Sequence, residues 1–153
     1  MNEYKIIIPG IVRTKKNGMT FSFKYKNRFG KWVYRDRALV ILKKPYRDWC
    51  KIAVQALAVF KSKYPPDIFP LTYRVNLKVL TFIPTGIGRI DQSAIYESVQ
   101  DVLRGAEKHV GVDPALYQIL IDDSYQFIGG HDGSRIYIEA GNPRVEITIS
   151  KLI

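Results

Sequence analysis

Residues 73–82 constrain the fold most, because they carry the longest strand pattern in the chain and lead directly into an amphipathic helix. In YRVNLKVLTF, apolar residues alternate with other side chains, as on a strand with one buried face. The loop IPTGIGRI then reaches Asp91, which is suited to cap the N-terminus of a helix. The expected buried stripe of that helix consists of Ile95, Val99, Val102, Leu103 and Ala106. We therefore expect this strand and this helix to form the centre of the domain.

Shorter patterns predict the remaining elements. Strands are expected at residues 4–9, 20–26, 31–35, 117–121 and 144–149, and a second helix at residues 45–61. The segment YQILI at 117–121 is short and apolar apart from Gln118, which is typical of a central strand. The 153 residues are thus expected to form a single α+β domain, in which a mixed β-sheet packs against two main helices.

The cysteine content and the N-terminus bear on location. The single Cys50 excludes an internal disulfide and a Cys-rich zinc site, and its apolar neighbours predict a buried thiol. The segment MNEYKIIIPG has no small-residue cleavage pattern, and nowhere do about eighteen apolar residues follow one another. We expect a cytoplasmic protein that is neither secreted nor membrane-spanning.

The positive charge is concentrated in one segment. The chain has a formal net charge of +10, and residues 13–51 contain thirteen Lys and Arg against two Asp. Aromatic residues are interleaved with these cations, a combination that suits a phosphate backbone and unstacked bases. The alternative is a solvated hairpin whose aromatic side chains pack inward. A polyanionic partner explains the charge excess in either case.

The acidic residues are grouped between residues 91 and 123. Asp91 follows one predicted strand and Asp122 and Asp123 follow another, while Asp101 lies on the connecting helix. Adjacent strands would bring these carboxylates together, and a hard cation such as Mg²⁺ or Mn²⁺ would offset their repulsion. In the alternative interpretation, Asp91 only caps its helix, Asp101 faces water, and the Asp pair begins a turn. Spacing alone leaves both interpretations open.

A resemblance favours the first interpretation. The segment DQSAIYESVQDVL, followed by IDDS after an apolar run, resembles the RusA family of Holliday-junction resolvases found in phages and prophages. The early PGIVRTKKN is similar to the N-terminal loop of that family, and the specific part of the likeness covers residues 89–124. The chain departs from the pattern at three positions. Ser93 stands where a second Asp is common, Ala94 replaces an Asn, and Glu97 replaces a Lys.

The resemblance implies a RusA-like fold and a Mg²⁺-dependent endonuclease, with Mn²⁺ as a substitute, that resolves four-way DNA junctions in recombination and repair. It implies a homodimer with two active sites in a bacterial host cell. The catalytic residues it implies are Asp91, Asp101 and Asp123, and the metal ligands are Asp91, Asp122 and Asp123. The expected phosphate contacts are Arg13, Lys15, Lys16, Lys24, Lys26 and Arg28, with Lys43 and Lys44 as lesser candidates.

Other outcomes stay open. Ser93 and Glu97 favour a branched-DNA-binding protein of the same fold that no longer cleaves, and a flap or fork nuclease would share the pocket chemistry. Phe21 or Phe29 could wedge into a junction, although packing into the hairpin is the expected fate of each. His131 in GGHDGSR is a candidate near the metal site or simply part of a Gly-rich turn, and Lys108 and His109 are weaker candidates.

Overall fold

A computed structural model describes residues 2–15, 19–88 and 90–153, with backbone alone for residues 19–23 and 35–42. Lys16, a predicted phosphate contact, and the side chain of Phe21 therefore lie outside the described part. Within these described ranges, seven strands and two α-helices occur in the order β1 (Glu3–Pro9), β2 (Met19–Lys26), β3 (Trp32–Leu42), α1 (Lys44–Lys61), β4 (Val75–Ile83), α2 (Gln92–Leu103), β5 (Ile128–Gly130), β6 (Arg135–Ile138) and β7 (Arg144–Lys151). Two short 3-10 helices, Lys108–Val110 and Pro114–Leu116, lie between α2 and β5.

Strand β4 is the centre of a mixed sheet, as its alternating pattern predicts. It pairs antiparallel with β7, which in turn pairs antiparallel with β1, and it pairs in parallel with the short strands β5 and β6. Side chains along β4 alternate between buried and partly exposed. This architecture confirms a single α+β domain with a mixed sheet and two helices.

Both predicted helices are confirmed, although α2 ends three residues before Ala106, the last residue of its predicted stripe. Helix α1 buries Tyr46, Trp49, Ala53, Leu57 and Phe60 in the core together with the inward side chains of β1. Asp91 occupies the N-cap position of α2, but its side chain makes no capping hydrogen bond to the helix. The predicted stripe is buried except for Ala106, which is partly exposed and lies beyond the end of α2. None of the helices in the described ranges combines the length and the apolar run that crossing a bilayer requires.

The predicted strand at residues 117–121 is wrong. Only Leu120 forms a β-bridge there, to Leu71, although Ile119 and Leu120 are fully buried. The backbone N–H groups of Ile119 and Leu120 both donate to the Leu103 carbonyl, at 2.8 and 3.0 Å. The run is apolar because it packs under the last turn of α2. Its backbone also supplies hydrogen-bond donors to the Leu103 carbonyl, one of the carbonyls at a helix end that have no partner within the helix. It therefore delivers Asp122 and Asp123 to the C-terminal end of α2.

Strands β2 and β3 form a separate two-stranded sheet, the β2–β3 arm (residues 19–42), and among the described residues neither strand pairs with the main sheet. The predicted hairpin is confirmed, and its second strand is longer than expected. The Asn27 side chain accepts backbone hydrogen bonds from Phe29 and Lys31, each at 3.0 Å, which fixes the turn. The two strands of the arm are thus joined by a defined turn, which is not part of the main sheet.

Gly105 ends α2 in a conformation that other residues adopt at a cost. Its φ is +75°, and a Cβ built there would lie 2.9 Å from the Pro114 Cβ. We expect Gly105→Ala to lower the free energy of unfolding by about 2 kcal/mol, from a backbone cost of about 1 kcal/mol and an overpacking cost of similar size. Denaturant unfolding measures the loss.

Gly111→Ala is the matched control, because Gly111 has a φ of +69° but open space around it. It should lose only the backbone contribution. Equal losses in the two variants would contradict the close contact between Gly105 and Pro114.

Candidate functional site

Segments far apart in the sequence meet at the C-terminal half of α2. The Lys15 backbone N–H donates to Ser98 Oγ at 3.3 Å, and Lys15 Nζ lies 3.5 Å from Asp101 Oδ2. Arg104 Nη2 lies 2.9 Å from Asp101 Oδ1, while Arg104 Nε lies 3.5 Å from Asp123 Oδ2. We call Lys15, Asp101, Arg104, Glu107 and Asp123 the Asp101 cluster.

Asp101 is buried, so the interpretation that it only faces water is wrong. Arg104 donates to the same carboxylate oxygen through both Nε, at 3.2 Å, and Nη2, at 2.9 Å. These hydrogen bonds raise the pKa of Arg104 above its ordinary value. The guanidinium thus remains charged and joins Asp101 to Asp123.

Glu107 is the second buried carboxylate of the cluster, and the sequence patterns did not single it out. The Tyr46 hydroxyl donates to Glu107 Oε1 at 2.6 Å, and Lys15 Nζ lies 3.6 Å from the same oxygen. Burial by itself lowers the pKa of Lys15, but the carboxylates of Glu107 and Asp101 raise it above 10.5 overall. Tyr46 offered one signal, because a tyrosine on a buried helix stripe needs a partner for its hydroxyl.

The described ranges contain one group of three potential metal ligands, Cys50, Glu107 and His109. The ligand atoms of these three side chains lie within 4.8 Å of one another. Burial raises the pKa of the Cys50 thiol to about 12 and lowers that of His109. Glu107 is already bonded to Tyr46, and the ammonium of Lys15 lies close by. A protonated thiol and a neighbouring cation both oppose metal binding, so the group fits a structural polar centre better.

The predicted metal ligands are not together within one chain. Asp122 and Asp123 are partly exposed and lie at the C-terminal end of α2, where a hydrogen bond from the Asp123 backbone lowers the pKa of Asp122. Asp91 is exposed at the N-terminal end of the same helix. The 12 residues of α2 span about 18 Å. Asp101 and Asp123 are thus brought together, whereas Asp91 is not.

The predicted phosphate contacts divide into three groups. Lys15 belongs to the Asp101 cluster and is directed at protein carboxylates. The second group lies exposed beside the start of α1 and consists of Arg13, Lys43 and Lys44. Lys44 also forms an ion pair with Asp48.

The third group lies exposed on the β2–β3 arm and consists of Lys24, Lys26 and Arg28.

His131 packs against the middle of α2. Its ring stacks on Tyr96 with centroids 4.2 Å apart, and its two nitrogens contact Gln100 Nε2 at 2.7 Å and the Leu77 carbonyl at 3.0 Å. Burial lowers the pKa of His131. Both ring nitrogens are thus used to hold the Gly-rich turn, one against α2 and the other against β4, as the turn interpretation expects. Lys108 is exposed near the cluster.

Comparison of the chain with models of known protein families finds no match, and comparison with curated proteins finds none either. A proposal for the function therefore rests on the residues and geometry of the Asp101 cluster and the β2–β3 arm.

Proposed function

We propose that this chain is a metal-dependent DNA endonuclease of the RusA type that acts on branched DNA, with four-way junctions as its main substrate. One observation carries the proposal. Three segments resemble the family, PGIVRTKKN, DQSAIYESVQDVL and IDDS, and one residue of each lies at the Asp101 cluster. Lys15 contacts Asp101 directly, and Arg104 joins Asp101 to Asp123. Such convergence is expected if the segments form one site.

The residues at this site have complementary chemistry. Asp122 and Asp123 are neighbouring, partly exposed carboxylates, the ligand type that Mg²⁺ prefers. When bound, Mg²⁺ would polarise a phosphoryl oxygen and lower the pKa of an attacking water. Arg104 holds Asp123 by an ion pair of 3.5 Å and offers a cation next to the place where a phosphodiester would lie. Lys15 and Arg104 both form ion pairs with the buried Asp101.

A homodimer is part of the proposal. Within one chain, about 18 Å of helix separates Asp91 from the Asp122–Asp123 pair. A metal site containing all three carboxylates would therefore take Asp91 from a second copy of the chain. Two such sites would cut opposing strands of a junction.

A DNA-binding protein without cleavage is the second candidate. Arg104 and Lys15 already neutralise part of the charge of Asp101, Glu107 and Asp123, so the cluster does not depend on a metal ion for charge balance. Ser93 and Glu97 replace two functional residues of the family and lie exposed on α2. These features favour a protein that binds branched DNA and has lost its chemistry.

Incubation with a labelled synthetic four-way junction in Mg²⁺, Mn²⁺ or EDTA distinguishes the candidates. We expect paired, metal-dependent nicks on denaturing gels and a junction-specific shift on native gels. Flap, fork and linear duplex substrates of matched sequence serve as controls and test for a different branched preference. A shift without nicks in either metal would support the binding protein, and neither shift nor nicks would contradict both candidates.

A further inference from the structure

The outer half of the β2–β3 arm carries an ordered surface of its own. In the strand register, Lys24 lies opposite Tyr34 and Lys26 lies opposite Trp32. Because side chains two residues apart on a strand point to the same side, these four residues share one face of the arm. We call Lys24, Lys26, Trp32 and Tyr34 the arm face.

The aromatic side chains of this surface are exposed. The exposed fractions are 63% for Trp32 and 73% for Tyr34, and Phe29 at the turn is 72% exposed. Tyr25 and Val33, which alternate with the arm face, are partly buried. The expectation that the hairpin aromatics pack inward is therefore wrong for Phe29, Trp32 and Tyr34. Large aromatic rings grouped in water mark a surface that another molecule covers.

Each exposed ring is paired with a cation. Lys24 Nζ lies 5.2 Å from the centroid of Tyr34, and Lys26 Nζ lies 5.2 Å from that of Trp32. The guanidinium carbon of Arg28 lies 4.8 Å from the centroid of Phe29. Residues 24–34 contain four Lys and Arg and neither Asp nor Glu. The charge complement of such a surface is a polyanion with flat, stackable groups.

The spacing of the rings selects unstacked nucleotides. Trp32 and Tyr34 are two residues apart on β3, which places them about 6.8 Å apart along the strand. The step between stacked bases in duplex DNA is about 3.4 Å, half that distance. A base can therefore stack between the two rings, or on either ring, only when it is not stacked on its own neighbouring bases.

We propose that the arm face binds unpaired, unstacked bases of single-stranded DNA, with Trp32 and Tyr34 stacking on bases and Lys24 and Lys26 contacting the adjacent phosphates. The inference deepens the proposed function, because continuous base stacking is interrupted at a branch point and flaps and forks carry single strands. It does not require a metal ion or the carboxylates. Binding of single-stranded DNA by the arm face and cleavage at the Asp101 cluster can therefore be tested independently of each other.

Intrinsic fluorescence reports directly on this surface. The chain has two Trp residues, and Trp49 is 2% exposed in the core, so Trp32 is the emitter that a ligand can reach. In EDTA, titration with a short oligo-dT strand is expected to quench the emission, whereas a blunt duplex of equal length is not. Absence of quenching by oligo-dT, or equal quenching by the duplex, would overturn the proposal.

Substitutions separate stacking from charge. Stacking on one aromatic side chain contributes about 1–3 kcal/mol, so Trp32→Leu and Tyr34→Leu should each weaken oligo-dT binding by about 5- to 150-fold. Trp32→Phe and Tyr34→Phe keep a ring and should retain most of the affinity. Unchanged affinity in both Leu variants, with folding verified by circular dichroism, would contradict the stacking role.

The salt dependence tests the lysines. Each lost phosphate contact should reduce the log–log slope of affinity against salt by about 0.7 for a single strand. Lys24→Ala with Lys26→Ala should thus reduce it by about 1.4. The charge-matched control, Lys51→Ala with Lys63→Ala, removes two exposed cations of α1 and the residues after it and should leave the slope unchanged. Equal slopes in the two double variants would overturn the assignment.

Discussion

Asp123→Asn is expected to reduce junction cutting by at least about 100-fold while junction binding stays at the parent level or tightens. The amide keeps the shape of the side chain but loses the negative charge that is needed to hold a cation beside the phosphodiester. Arg104 would keep its two hydrogen bonds to the buried Asp101, so the cluster should remain folded. Timed cleavage of the labelled junction in Mg²⁺, beside a gel-shift titration in EDTA, measures the two effects.

Asp67→Asn is the matched control, because Asp67 is an exposed turn residue outside the Asp101 cluster. It removes the same charge and should cut at the parent rate. If Asp123→Asn also cuts at the parent rate, the catalytic assignment of Asp123 is wrong. If both variants lose activity, the effect comes from overall charge.

Lys15→Met is expected to give the largest loss of stability, about 3 kcal/mol in the free energy of unfolding at neutral pH. The ammonium of Lys15 is shared by Asp101 and Glu107, at 3.5 and 3.6 Å, and its removal leaves two buried carboxylates with fewer partners. The estimate is at the low end for a broken buried pair, because Lys15 is itself partly exposed. Urea or guanidinium unfolding measures the loss, and Lys63→Met, at an exposed site, should be nearly neutral.

The pH dependence gives this prediction a second readout. Because the folded protein raises the pKa of Lys15 above its ordinary value of 10.5, the stabilisation by Lys15 is fully present below pH 10.5 and is lost as pH rises through the folded pKa. The parent protein should therefore lose stability at alkaline pH more steeply than Lys15→Met. Parallel pH profiles would contradict a charged Lys15 at the centre of the cluster.

Strong periodicity predicted the main elements. Strand β4 and helices α1 and α2 each have a long pattern with one buried face. The observed bounds of β4 and α1 differ from the expected ones by two residues or fewer, and α2 ends three residues before the last residue of its predicted stripe. The run at 117–121 misled because a short apolar segment has the same composition whether it joins a sheet or closes a helix end. Strands β5 and β6, of 3 and 4 residues, are too short to show a pattern.

The site was predictable only in part. The sequence predicted that Asp101 and Asp123 share one site. That prediction relied on a strand at residues 117–121, which the structure does not form. The actual link between Asp101 and Asp123 is Arg104, which a count of carboxylates does not reveal. Glu107 was missed because its partner Tyr46 lies 61 residues earlier, and a local pattern carries no information about such a contact.

Glu107 joins the two ends of the β2–β3 arm. Lys15 precedes the first residue of β2 by four positions, and Tyr46 follows the last residue of β3 by four positions. Both side chains reach the same oxygen of Glu107, at 3.6 and 2.6 Å. One buried carboxylate thus contacts the chain both before and after the arm, so the two ends of the arm that carries the proposed single-strand-binding surface are tied together beside the residues proposed to cut DNA.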